Sequence, residues 1–136
     1  MVFTIMELGY IAFQTIVTEH AAYECARIGS LWAGSLVSTA NPEYNVSRAR
    51  SKASAQLTKM LPKAGLAVCQ VAYHQGVDDP QTGKPGADLL IVVENPVRLI
   101  FPGSSYMLAN PKGTGVRRIR AAVRMPIENP LSATLR

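Results

Sequence analysis

Ala21-Ala22-Tyr23-Glu24-Cys25-Ala26-Arg27 follows without a break on the apolar run Met1–Val17. The junction reads as one long helix that leaves an apolar setting, a membrane or the core of an assembly, and enters water. The spacing predicts a helix from about Val2 to Leu36. Within it Ala22, Ala26, Gly29 and Ala33 recur at steps of four, three and four, which places them on one face. Such a stripe of small residues lets another backbone approach closely. Two readings stand open: a helix laid against a sheet of its own chain, or helix–helix packing in an assembly.

Working outward, Ser38 to Asn45 is a break with Asn41-Pro42 as its turn signal. A second helix is expected from about Pro42 to Leu61, with Val46, Ala49, Ala53, Leu57 and Met60 as its apolar stripe and Pro62 and Gly65 as its end. Leu66–Tyr73 alternates as a strand, and Gly76–Gly86 is a loop. Leu89-Leu90-Ile91-Val92-Val93 marks a buried strand over Asp88–Glu94, which Asn95-Pro96 is expected to interrupt. An irregular connection then runs from Leu99 to Gly115, Val116–Met125 is the last strand, and Pro126–Arg136 is a tail. Helices first and strands afterwards predict an α+β fold with an antiparallel sheet of three or four strands. The expected division is 1–36, the apolar helix, and 37–136, an α+β head.

The chain has 136 residues, 48% hydrophobic and 17% charged, which excludes a disordered chain and allows one domain with one modest core. Its net charge of +5 admits nucleic acid or an anionic membrane surface as partner, although much of that charge is local. The start has no basic n-region and no small-residue cleavage site, so it does not read as a cleavable secretory signal. As a helix, Met1–Val17 would span about 26 Å against about 30 Å of bilayer core. The chain is therefore expected to begin inside its own anchor.

Candidate chemistry is sparse. His20 and His74 have no carboxylate or cysteine at ligand spacing and read as surface or interface residues. Asp78, Asp79 and Asp88 bracket a loop without the closing Glu of a calcium-binding hand. Arg118, Arg120 and Arg124 share one face of the last strand, while Arg117 lies with Ile119 and Val123. They could meet phosphates, but no aromatic residues interleave for base stacking. A polar sheet face or a patch toward an acidic partner is the expectation, without nucleic acid. Asn45-Val46-Ser47 fits a glycosylation sequon. No catalytic constellation, metal cluster or phosphate loop is found, so no cofactor is expected. Cys25 and Cys69 fit neither a zinc site nor a CxxC pair. They are two buried thiols in a reducing compartment. In an oxidising one they could close a loop of about 45 residues with a disulfide, contributing roughly 2–4 kcal/mol.

Glu7 stands apart. A carboxylate inside an apolar helix is costly without a partner, so the position implies a partner-related role or a place near lipid headgroups.

Met6-Glu7-Leu8-Gly9, followed by Ala21-Ala22-Tyr23-Glu24-Cys25-Ala26-Arg27, resembles the start of TadE-like pilus proteins. That family shows Glu-hydrophobic-Gly and then Ala-Ala-x-x-Gly-Ala-Arg, and here Cys25 stands at the usual Gly. Asn95-Pro96 to Phe101-Pro102-Gly103 is similar to the family's strand and Pro-rich turn. Ile119-Arg120-Ala121-Ala122-Val123-Arg124-Met125-Pro126-Ile127-Glu128 is similar to its closing strand. The family usually has a cytoplasmic stub and a longer apolar run before the Glu. Phe3-Thr4-Ile5-Met6-Glu7-Leu8 also resembles the first residues of a mature type IV pilin, where Phe leads and Glu is fifth.

Either likeness implies a pilin-like fold and a non-enzymatic subunit, a pseudopilin or minor pilin of a Tad-type pilus. Its partners would be other pilin subunits, the inner membrane before assembly and the pilus assembly machinery. Its head would face the periplasm and later the outside of the cell, in an extracellular filament. Burial of Val2, Phe3, Ile5, Leu8, Ile11, Phe13 and Ile16 would drive association at about 25 cal/mol per Å². Glu7 would set register by pairing with a neighbouring subunit's amine, and Phe3, Ala22, Ala26 and Gly29 would lie at assembly contacts. The rivals are a major filament subunit, a membrane-tethered periplasmic factor that does not polymerise, and a small basic nucleic-acid-binding protein. An enzyme is the remotest of them.

Overall fold

Small residues at helical spacing decide how closely the layers of this protein approach. The computed structural model describes residues 2–34, 42–62, 67–75, 87–101 and 103–127. Helix α1 spans Val2–Gly34 and α2 spans Pro42–Met60. Strands β1 (Val68–Gln75), β2 (Ala87–Arg98) and β3 (Val116–Pro126) form a three-stranded antiparallel sheet in the order β1-β2-β3. A short helix α3, Ser104–Met107, lies in the connection between β2 and β3. The layout is the α+β, pilin-like one expected: a long first helix, a second helix, then an antiparallel sheet.

Both long helices lie on one face of the sheet, α1 over β2 and β3 and α2 beside it over β1. The core is built from Ala21, Ala22, Cys25, Ala26 and Ala33 of α1, Ala49, Ala53 and Leu57 of α2, and Val71, Leu89, Ile91, Val93 and Ala121 of the sheet. Helix contributions are almost all alanine, so the axes come close and the branched side chains of the sheet fill the space between. At Gly29 an added Cβ would stand 2.8 Å from Leu89 Cδ2 and 3.0 Å from Ile91 Cδ1. The small-residue stripe of α1 is thus laid against the chain's own sheet. The last four turns of α1 are part of the head, not a stalk outside it.

Where the helices meet, the Cys25 thiol donates to the Ala53 carbonyl at 3.4 Å. At the rim of this contact the Arg48 guanidinium and the Lys52 ammonium sit 5.0 and 4.7 Å from the ring centre of Trp32. Each such cation–π contact contributes about 0.5–1 kcal/mol at an exposed site.

The registers explain a departure from expectation. β1 ends at Val68 opposite Glu94, and β2 continues beside β3 alone as far as Arg98 opposite Val116. Asn95-Pro96 therefore does not interrupt β2. From Asn95 onward no strand among the described residues pairs with that side of β2, and a proline is tolerated where no ladder bond is needed. Expected positions 35–36 of α1, the loop Gly76–Gly86 with Asp78 and Asp79, and the tail beyond 127 lie outside the described residues, as does the sequon's asparagine side chain.

Candidate functional site

The first four turns of α1 have their polarity reversed. Toward the protein, α1 presents Glu7, Gln14 and Thr18; away from it stand Val2, Ile5, Met6, Phe13 and Ile16. These outward residues are 57 to 69% exposed, and Phe3 and Leu8 at their flanks are at least half exposed. An ordinary surface helix has the opposite arrangement. A continuous row of large apolar side chains in water is the mark of an interaction surface.

The inward face is held by specific polar bonds. Glu7 has no accessible surface. Its Oε1 accepts the Ile100 N–H at 3.1 Å, and its Oε2 accepts the Phe101 N–H at 3.0 Å. The local backbone explains why those two amides are available. After β2 the Leu99 N–H still pairs with the Gly115 carbonyl at 2.8 Å, and there the two chains part. Gly115 has a φ of +68°, a conformation that favours glycine, and it turns the returning chain away. Ile100 and Phe101 then have no strand partner, and the carboxylate supplies one. The Phe3 and Phe101 rings meet at a tilt beside this contact, 5.1 Å between centres and 41° between planes.

Three turns further along α1, Thr18 is fully buried. Its hydroxyl donates to the Gln14 carbonyl at 2.7 Å and accepts from Asn95 Nδ2 at 3.1 Å. Glu7–loop and Thr18–Asn95 together fix both the rotation of α1 and its position along the sheet. Beside them a cavity of about 460 Å³ is lined by Tyr10, Gln14, Met60, Pro62, Asn95 and Arg98.

The residues expected at an assembly contact are thus divided. Phe3 is exposed beside the outward row. Ala22, Ala26 and Gly29 are buried within the chain against its own sheet, and Glu7 is bound by the chain's own loop. Sequence reading missed Thr18 and Asn95. A threonine in an apolar helix and an Asn-Pro pair at a strand end gave no sign that they meet. No helix among the described residues is long and apolar enough to cross a membrane.

The opposite face of the sheet carries Arg118, Arg120 and Arg124, all exposed. Arg124 pairs with Asp88, its Nε 2.7 Å from Oδ2, and Arg120 lies 3.7 Å from Glu94 directly across the ladder. Two of the three cations are therefore matched by carboxylates of β2. Arg117 donates to the Leu108 carbonyl at 3.3 Å. His20 and His74 are exposed, and no group of three His, Cys, Asp or Glu side chains among the described residues could hold a metal ion.

Cys25 and Cys69 are both free thiols, Cys25 buried and Cys69 partly so. The two thiols lie close together where α1, α2 and β1 converge. The neighbouring Cys25 thiol, aided by the Arg50 charge and opposed by burial, holds Cys69 below the ordinary thiol range. The Cys69 thiol and burial push Cys25 up. Compared with family models, with curated proteins and with solved structures, the chain matches none of them.

Proposed function

We propose that this protein is a non-enzymatic structural subunit of the TadE-like class, a pseudopilin or pilin that assembles through the outward face of α1. The observation that carries the reading is that face: Val2, Ile5, Met6, Phe13 and Ile16 exposed on a helix whose rotation is fixed from behind by Glu7 and Thr18. Lateral packing against the same helix of other subunits would remove these side chains from water, at about 25 cal/mol per Å² of apolar surface. Before assembly the same outward side chains would rest against the apolar layer of the inner membrane, with the ionic face of the sheet turned toward the periplasm. Glu7 acts in this scheme within its own subunit, by orienting α1, and not as the direct partner of a neighbour's amine.

The test compares the native protein with an Ile5→Asn, Phe13→Asn, Ile16→Asn variant, by negative-stain electron microscopy and sedimentation velocity. All three side chains point away from the core, so the variant is expected to keep the native circular dichroism spectrum and unfolding midpoint. Filaments from the native protein that are lost in the variant support the proposal. A native protein that stays monomeric and binds lipid vesicles through this face supports the membrane-tethered factor instead. A native monomer that does neither defeats both.

A further inference from the structure

The connection between β2 and β3 is a folded lobe whose most exposed side chains are apolar. The Leu108 N–H closes the turn of α3 on the Ser104 carbonyl at 2.7 Å, and the Gly113 N–H donates to the Ser105 carbonyl at 3.0 Å. The Asn110 N–H donates to the Val116 carbonyl at 2.8 Å, and Ala109 between these bonds is buried. The side chains of Tyr106 and Met107 take no part in this scaffold and are 76 and 79% exposed. Ile100, at the root of the lobe, is exposed as well. Glu7 and the Phe3–Phe101 ring contact join the start of α1 to the same place. Phe3, Ile100, Tyr106 and Met107 therefore belong to one end of the molecule.

Charge at that end has one sign. From Asn95 to Ile127 the chain has Arg98, Lys112, Arg117, Arg118, Arg120 and Arg124 and no acidic residue. Before Glu19 the one charged side chain is Glu7, which is buried and bonded. Arg120 and Arg124 are matched by carboxylates further along the sheet, whereas Arg98, Lys112 and Arg118 are exposed and form no ion pair among the described residues. Lys112 adjoins Gly113, whose bond to Ser105 sets it beside α3. Exposed apolar side chains ringed by cations fit a surface that is apolar within and anionic at its rim. Nucleic acid would use the cations but gain little from Ile100 and Met107, which cannot stack on bases. A second copy docked on this end would bring like charge against like.

We propose that the β2–β3 lobe, with the start of α1, is a docking surface for a bilayer rich in anionic lipid. Tyr106, Met107, Ile100 and Phe3 enter the boundary between headgroups and acyl chains, and Arg98, Lys112 and Arg118 meet the headgroup phosphates. The proposal rests on the membrane part of the reading above and does not require assembly. The outward row of α1 is uncharged and has no preference between neutral and anionic lipid, so that preference reports on the lobe.

The full chain is floated with vesicles of phosphatidylcholine alone and with about 30% phosphatidylglycerol, at about 50 and 500 mM salt. The native protein is expected to bind the anionic vesicles at least about tenfold more tightly at the lower salt and to lose most of that preference at the higher. Arg98→Glu with Lys112→Glu should abolish the preference. Tyr106→Ser with Met107→Ser should weaken binding to the anionic vesicles at least about threefold. The Ile5→Asn, Phe13→Asn, Ile16→Asn variant should keep the preference. On the unsubstituted chain, hydrogen exchange should show the amides of 104–113 protected by anionic vesicles, a result that holds even where a variant fails to fold. Filaments are scored separately without vesicles. Anionic binding without filaments sustains the lobe and defeats assembly, and filaments without anionic preference do the reverse. Equal binding to both vesicles, lobe variants that bind as the native chain does, exchange unchanged over 104–113, loss of all binding in the α1 variant, or binding to duplex DNA tighter than to vesicles would each overturn the proposal.

Discussion

Glu7 replaces water for two backbone amides that the end of a β-ladder leaves behind. Removing the acceptor leaves both part-buried donors without a partner, and their partial exposure places the cost in the lower part of about 1–3 kcal/mol for each unsatisfied group. Glu7→Ala is therefore expected to lower stability by about 2–4 kcal/mol, read as a shift of the urea midpoint at unchanged slope. Glu7→Gln keeps one acceptor oxygen and should lose about half as much. A variant at Glu7 that fails to assemble is thus ambiguous unless its stability is measured beside it. The importance of this residue was legible, because a carboxylate within an apolar run demands a partner. The partner was not legible, because it is backbone 93 and 94 residues away, and a peptide N–H has no side-chain signature. The Thr18–Asn95 bond was hidden for a related reason: each residue has an adequate local explanation, as a helix threonine bonded to its own preceding turn and as an Asn-Pro turn signal.

Two glycines of α1 show how an element's surroundings decide what its residues are for. Gly9 is exposed, with nothing within 4 Å of an added Cβ, whereas Gly29 lies against Leu89 and Ile91. Gly9→Ala should stabilise the protein by about 0.5–1 kcal/mol through helix propensity alone. Gly29→Val should destabilise it by about 1–3 kcal/mol through overpacking. Thermal unfolding of the two variants side by side checks both signs. Helix α2 was readable in full, since Ala49, Ala53 and Leu57 recur with helical period and all are buried. The stripe on α1 was equally visible, yet periodicity reports that a face is covered and not what covers it. β2 was read too short because a proline argues against a central strand, and only the register shows that β1 has already ended there. Helix α3 is a single turn, below the length at which a repeating pattern can appear.

At the scale of the molecule, the two exposed faces differ in kind. The outward side of α1 is apolar, and the outer face of the sheet is ionic, with Arg124 and Arg120 partly neutralised by Asp88 and Glu94. Exposed pairs of this sort contribute little to stability and are screened by salt. If the apolar face drives self-association, the association constant should change by less than about threefold between about 50 and 500 mM salt. Sedimentation across that range distinguishes it from association with nucleic acid through the arginines, which would weaken by orders of magnitude. The α+β class and the order of elements follow from the change of period along the chain. The reversed polarity of α1 does not, because a run apolar on every side gives no indication of which side the rest of the chain will take.

The bonds behind α1 have a thermodynamic consequence. A helix already folded, already rotated and locked at two depths presents its apolar row as a finished template, so a partner docking on it has little chain to order. Association should carry a negative heat-capacity change from apolar burial. It should lack the large opposing entropy loss of a helix that folds only on contact, and titration calorimetry at several temperatures would separate the two.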